Sequence, residues 1–241
     1  MKKVILGVAL CGAAVALAGA ANADNSDFLS GSTDALVLGP TGIPTPDAAY
    51  ISDAENLYLD PNGYDGTTAS TLALTTPETT SLSSVPQGET DLINAVVADY
   101  DAGDMGCNTS GVCSDPLTIF TYSQSSAVAS LAEQQLVADK IPEDALRFVM
   151  LGANPSGVVD NLYPTDVYNI NGDFWADPSS VGTTLQDIET GMLVHDAYLG
   201  LTSAEIDSAT KVVEGMTTVF DIPTLTTIQL IEALIGASSA V

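Results

Sequence analysis

One junction constrains the fold of this chain more than any other feature of the sequence. Residues 116–122 form an apolar run with the bulk of a buried strand, and residues 126–139 have a composition that favours a helix. The chain therefore changes from strand to helix at Ser123. Strands that alternate with helices are typical of an α/β fold, in which helices cover both faces of a mainly parallel sheet. We expect that architecture here.

Other patterns along the chain agree with this fold class. Further strands are predicted at 34–38, 71–75, 147–151 and 167–170, and further helices at 48–57, 89–100, 203–219 and 224–241. Sheets of this kind bind ligands at the carboxyl ends of their strands. The loops after Leu38, Tyr122 and Ile170 are therefore expected to meet at one edge of the sheet.

The first 23 residues have the pattern of a secretory signal peptide, with two lysines, an apolar stretch and the cleavage site Ala21-Asn22-Ala23. The apolar stretch is shorter than the roughly 20 residues that span a bilayer. We therefore expect a secreted or cell-envelope protein without stable membrane insertion. Residues 24–241 are predicted to form a single domain, and nothing in the sequence indicates its oligomeric state.

The charge and the cysteines exclude several classes of function. A formal net charge of −26 argues against nucleic acid as a partner, because binding it depends on cationic side chains. The acidic residues are spread singly along the chain, which favours a solvated surface. Cys107 and Cys113 are expected to form a disulfide in an oxidising compartment. One histidine is too few for a usual zinc site, so no metal site is expected.

The strand-to-helix junction is also the candidate catalytic feature. A serine on such a turn has an exposed hydroxyl, as in the G-x-S-x-G elbow of serine hydrolases. Here the five residues are Thr121-Tyr122-Ser123-Gln124-Ser125, so both glycines are replaced by other small residues. Ser123 is the predicted nucleophile. A serine-rich turn without catalytic function is the alternative.

A serine nucleophile needs a base, and the base needs an acid that orients it. His195 is the only histidine, and the order serine, acid, histidine is that of the α/β-hydrolases. Asp173 and Asp177 both follow the predicted strand 167–170, and the residues alone do not choose between them. The alternative for His195 is an incidental position on a loop or at the start of a helix.

Two backbone amides are candidates for an oxyanion hole. Gln124 begins the predicted helix after the nucleophile, and Thr41 lies in the loop after the first strand. The loop sequence Gly39-Pro-Thr-Gly-Ile-Pro44 is also typical of a plain turn stiffened by proline.

Several separated stretches resemble one family. These stretches are 35–50, 83–88, 122–127, 148–155 and 173–177, and they are similar to the PE-PPE domain of actinobacterial exported proteins, a cutinase-like serine hydrolase domain with an α/β-hydrolase fold. The chain departs from the family pattern at Pro40 and Thr121, where glycines are usual, and at Gly172, where a tyrosine is usual. The amino-terminal PE or PPE helices are not found, so a free-standing domain is expected.

The resemblance implies esterase or lipase activity on acyl esters, or acyl transfer between lipids, without a metal or organic cofactor. It implies that Ser123 is the nucleophile, that His195 is the base and that Asp173 or Asp177 is the acid. Two other classes stay open. The chain could be a non-catalytic envelope protein that binds a lipid or partner in the same cleft, or an acidic adhesive or calcium-responsive surface protein.

Overall fold

A seven-stranded sheet forms the centre of the molecule. The computed structural model describes residues 27–154 and 162–238. The strands in these ranges are β1 (Ala35–Val37), β2 (Thr71–Ala73), β3 (Leu117–Tyr122), β4 (Leu146–Leu151), β5 (Thr165–Ile170), β6 (Thr210–Glu214) and β7 (Thr217–Ile222). Their order in the sheet is β2-β1-β3-β4-β5-β7-β6. Every neighbouring pair is parallel except the β6–β7 hairpin.

Helices cover both faces of this sheet. They are α1 (Ala48–Ala54), which continues into a π-helical turn at Glu55–Leu59, α2 (Ser84–Ala102), α3 (Gln124–Ala138), α4 (Leu185–His195), α5 (Ser203–Asp207) and α6 (Thr227–Ala237). Successive strand residues point to opposite faces. Ile119 of β3 accordingly packs with Leu92 of α2 and Val128 of α3, whereas Phe120 belongs to the core that contains Leu230 of α6. The predicted α/β fold class is confirmed.

The predicted helix at 203–219 is wrong. Only α5 is helical there, and its cap is Thr202 rather than Ser203. The following residues form the β6–β7 hairpin, whose turn contains Gly215 at a φ of 64°. Both strands are rich in threonine and valine, which favour a pleated backbone, and a glycine accepts the left-handed conformation of the turn at little cost.

Helix α4 was not predicted, and it places His195 at its last residue rather than on a loop or at a helix start. Its sequence signal is a capping box, in which Thr184 and Asp187 satisfy each other's backbone amides. Gly191 weakens the helical pattern in the sequence. A Cβ atom there would lie 3.0 Å from the carbonyl oxygen of Gly172, so glycine favours the close approach of α4 to the loop after β5.

The remaining predictions concern the two ends of the chain and the two cysteines Cys107 and Cys113. The predicted signal peptide lies outside the described residues, as do the last three residues of the predicted helix 224–241. In the ranges that the structure describes, no helix has the length and apolarity to cross a membrane. The expected disulfide between Cys107 and Cys113 is present and closes a loop of six residues' separation.

Candidate active site

The turn between β3 and α3 is strained at Ser123. Its φ of 60° and ψ of −118° lie outside the regions that a side chain favours. Two hydrogen bonds hold this conformation: the Ser123 amide donates to the carbonyl oxygen of Leu151 at 2.9 Å, and the Tyr122 amide donates to Ser125 Oγ at 2.9 Å. The turn therefore carries the Ser123 hydroxyl out of the sheet and into a cavity.

The imidazole of His195 and the carboxylate of Asp173 form a hydrogen-bonded chain with this hydroxyl. His195 Nε2 lies 2.7 Å from Ser123 Oγ, and His195 Nδ1 lies 2.8 Å from Asp173 Oδ2. The histidine is 6% exposed and the aspartate is fully buried. These residues come from the ends of β3 and α4 and from the loop after β5. The structure thus brings together three of the side chains that the sequence indicated.

Asp173 is held by four donors. Its Oδ1 accepts from the amides of Trp175 at 2.8 Å and Ala176 at 3.2 Å, while its Oδ2 accepts from the Tyr198 hydroxyl at 2.8 Å as well as from His195. Such bonds stabilise the ionised form of a buried carboxylate. The arrangement fixes which oxygen faces the imidazole.

Asp177 lies apart from the imidazole. It caps the short 3₁₀ helix Pro178–Ser180, and its Oδ1 accepts from the Ser179 amide at 3.0 Å and from Ser179 Oγ at 2.6 Å. Its side chain lines a second, polar cavity together with Asp221. Of the two candidate acids, only Asp173 contacts His195.

Gln124 and Thr41 both line the cavity that contains Ser123. The Gln124 amide lies in the first turn of α3, where an amide has no acceptor within its own helix. Thr41 is the second residue of a tight turn in which the Ile43 amide donates to the Pro40 carbonyl oxygen at 3.0 Å. Gly42 has a φ of 96° in this turn, as a type II turn requires at its third position. The turn hydrogen bond does not use the amide of Thr41.

The cavity has a volume of about 950 Å³. Its lining includes the polar side chains of Ser123 and His195, and its apolar walls are formed by Ile43, Tyr50, Trp175, Leu199 and Leu234. This combination suits a ligand with a reactive polar group and an apolar chain. Among the described residues, no group of three or more His, Cys, Asp or Glu side chains is placed to hold a metal ion.

Comparison with known proteins shows which family this chain resembles. Residues 66–159 match the family model of the PE-PPE domain. The chain is also 32% identical over 216 residues to an uncharacterized PPE family protein, PPE28, of Mycobacterium tuberculosis. The chain is therefore similar to proteins of the PE-PPE domain family. The alignment covers 73% of this chain and 31% of the relative, so the domain spans about a third of that protein's length.

A solved structure is also similar to this chain. It is a cutinase-like protein from Cryptococcus sp., with a TM-score of 0.48 and 16% sequence identity. The match covers 73% of this chain and 98% of the other. Similarity at this level supports no transfer of function.

The structure accommodates the positions at which this chain departs from the pattern of the PE-PPE domain. Thr121 is fully buried, and its Oγ1 lies 3.1 Å from Ser126 Oγ, which in turn donates to the Leu151 carbonyl oxygen at 3.2 Å. Pro40 contributes a carbonyl oxygen to its turn, so the missing amide hydrogen is not needed there. Gly172 has a φ of 98°, a conformation that a tyrosine would adopt only with strain.

The sequence did not indicate the tyrosines that surround the site. Tyr198 donates to Asp173 and accepts from the Ile170 amide at 2.9 Å, and Tyr122 donates from its hydroxyl to the His195 carbonyl oxygen. Burial and then the nearby Asp173 carboxylate raise the pKa of the Tyr198 phenol, so it stays a neutral donor. Tyr198 lies three residues after His195, but no spacing rule in the sequence identifies a phenol as a hydrogen-bond donor to a carboxylate.

Proposed function

We propose that this protein is a serine esterase or lipase that hydrolyses carboxylic acyl esters through an acyl-enzyme on Ser123. The observation that carries the proposal is the continuous hydrogen-bond chain from Ser123 Oγ through the two nitrogens of His195 to Asp173, with distances of 2.7 and 2.8 Å. A hydroxyl in this arrangement can lose its proton to the imidazole as it attacks.

Each residue then has a defined task in the two half-reactions. Ser123 Oγ forms a bond to the ester carbonyl carbon while His195 Nε2 takes its proton, and Asp173 stabilises the resulting imidazolium. The amides of Gln124 and Thr41 donate to the oxyanion. The imidazolium returns the proton to the departing alcohol. Water, deprotonated by His195, then attacks the acyl-enzyme, and the imidazolium returns this proton to Ser123 Oγ as the carboxylic acid is released.

The cavity supports acyl chains of short to medium length as the substrate group. Its apolar walls bury a chain next to the nucleophile, and the half-exposed Trp175 stands at the cavity beside His195. Helices α4 and α6 also carry exposed apolar side chains, namely Leu185, Met192, Ile231 and Ile235. These features favour an amphiphilic ester or lipid over a peptide.

Export to the cell envelope or the medium is part of the proposal. The signal-peptide pattern of residues 1–23 supports it. The disulfide between Cys107 and Cys113 is compatible with an oxidising compartment.

The test is the hydrolysis of p-nitrophenyl butyrate by the wild type and by Ser123→Ala. We expect Ser123→Ala to lose at least about 10³-fold in kcat, since the nucleophile is absent. Ser110→Ala, at an exposed serine in the disulfide loop, is the matched control and keeps wild-type kinetics. Equal rates for the wild type and Ser123→Ala would remove the proposal. A faster release of p-nitrophenol on adding an alcohol acceptor, with ester formation, would identify a transferase that uses the same acyl-enzyme.

A further inference from the structure

One segment joins the two elements that contribute the candidate oxyanion amides. Residues 76–84, called here the clamp segment, follow β2 and lead into α2. They run between the turn that contains Thr41 and the start of α3, where Gln124 lies. Hydrogen bonds attach the clamp segment to both.

The first attachment is to the Thr41 turn. The Gly42 amide donates to the Glu78 carbonyl oxygen at 2.7 Å, and the Thr76 amide donates to the Pro44 carbonyl oxygen at 2.9 Å. Both contacts fall within three residues of Thr41 on the chain. The clamp segment therefore fixes the position of this turn relative to the sheet.

The second attachment is to the side chain of Gln124. Gln124 Nε2 donates to the Thr79 carbonyl oxygen at 2.9 Å, and Gln124 Oε1 accepts from Ser84 Oγ at 2.9 Å. Ser84 Oγ also accepts from the Thr79 amide at 2.9 Å. Both ends of the Gln124 amide group are thus bound by the clamp segment, which restrains the first residue of α3.

Glu78 holds the clamp segment in an unusual conformation. Its φ is 40°, which is strained for a residue with a side chain, and the residue is 2% exposed. Its carboxylate Oε1 accepts from Thr76 Oγ1 at 2.8 Å, while Oε2 is buried and has no partner among the described residues. Burying such a group costs free energy. This free-energy cost is compatible with a role that requires the Glu78 carboxylate to be buried.

We infer that Glu78 is a positioning residue for the oxyanion hole. Its anchored side chain fixes the clamp segment, and the clamp segment fixes the separation of the Thr41 and Gln124 amides. The inference rests on the proposed function, because the amides matter only if an oxyanion forms on Ser123. Oxyanion donors act only within about 2.7–3.1 Å of the oxygen, so a small shift of either amide lowers the rate.

The test compares Glu78→Ala, Glu78→Gln and Ser84→Ala with the wild type in p-nitrophenyl butyrate hydrolysis and in inhibition by a trifluoromethyl ketone, which forms a hemiketal oxyanion on the serine. Glu78→Ala and Ser84→Ala are expected to lower kcat by about 10- to 100-fold while KM changes by less than about threefold, since the loss acts on the transition state. The inhibition constant should rise by a similar factor. Glu78→Gln keeps an acceptor for Thr76 and retains most of the activity.

Glu143→Ala is the control, at an exposed glutamate beside the amino end of β4, away from the site. If Glu78→Ala does not fold, Thr76→Val removes the same anchoring hydrogen bond with a smaller change. Folded variants with wild-type kcat and inhibition constants would overturn the inference while Ser123-dependent hydrolysis stands. A wild type without Ser123-dependent turnover would instead overturn the proposed function, and this inference with it.

Discussion

Asp173 and Asp177 show that the surroundings of a carboxylate determine which role it can take. The two residues are four positions apart, and both follow β5. Asp173 is fully buried and contacts His195 Nδ1, whereas Asp177 is exposed and bonds to Ser179. The sequence indicated both residues because order along the chain is all that it records. The choice depends on the fold of the loop, in which the amides of Trp175 and Ala176 turn back onto Asp173.

The first prediction separates the two carboxylates. Asp173→Asn is expected to lower kcat for p-nitrophenyl butyrate by about 10³- to 10⁴-fold, because an amide no longer orients and stabilises the charged imidazole. Asp177→Asn leaves kcat within about threefold, since its side chain only caps a short helix. Steady-state kinetics on both purified variants provide the measurement. A larger loss in Asp177→Asn than in Asp173→Asn would contradict the assignment.

The second prediction concerns Glu133, which is fully buried in α3. Burial raises the pKa of its carboxyl group to about 8, and the nearby backbone at Leu162 and Tyr163 offsets only part of that effect. The folded state therefore holds this proton more tightly than the unfolded state. The free energy of unfolding should decrease as pH rises from about 4.5 through 8, where the carboxyl group ionises in the folded protein.

Glu133→Gln removes this ionisation. The difference in Tm between the variant and the wild type is expected to move in favour of the variant between pH 5 and pH 9, by a few degrees. Thermal unfolding followed by circular dichroism at several pH values gives the measurement. Glu143→Gln, at an exposed position, serves as the control and should show no such trend. A constant difference for Glu133→Gln across this pH range would contradict the account.

At the scale of elements, the sequence predicted those whose local pattern agrees with their position. β3 and α3 were clear because an apolar run and a helix-forming run adjoin at Ser123. The helix predicted at 203–219 was wrong because α5 has a good cap but only five residues. Of the two strands after it, β7 pairs with β5, which lies far away in sequence, and β6 pairs with β7. Helix α4 was missed because Gly191 lowers the helix propensity of its sequence. In the structure this glycine packs closely against the loop after β5.

Helix α6 gives the prediction at this scale. Leu234 lines the cavity, whereas Ile228 on the same helix is 70% exposed and does not. Leu234→Trp should fill part of the cavity and lower kcat/KM for p-nitrophenyl octanoate by about tenfold or more, while the acetate ester changes by less than about threefold. Ile228→Trp is the matched control, with an unchanged chain-length profile. Equal losses for both esters in Leu234→Trp would contradict the proposed acyl site.

At the scale of the whole molecule, the net charge of −26 dominates the electrostatics. After burial, repulsion by neighbouring carboxylates is the next cause that raises the pKa of Asp34, Asp53 and Asp99. Such repulsion opposes the compact state and is screened by salt. The acidic surface is therefore expected to make stability depend on ionic strength.

Raising NaCl from about 20 mM to 0.5 M should increase Tm by several degrees, because the Debye length falls to about 4 Å and the repulsion between exposed carboxylates is screened. CaCl₂ at matched ionic strength is expected to give a similar increase, since the Debye length depends on ionic strength. Differential scanning fluorimetry with both salts measures this. A decrease in Tm with NaCl would contradict the repulsion argument, and a much larger rise with calcium would indicate a specific site.

The central claim is that Ser123, His195 and Asp173 form a working catalytic triad, and reaction with a fluorophosphonate tests it most directly because only an activated serine reacts quickly. Intact-protein mass spectrometry with peptide mapping should find one adduct per wild-type chain, located on Ser123, and almost none after the same time in His195→Gln. Failure of the folded wild type to react, or an adduct on a different serine, would contradict the account.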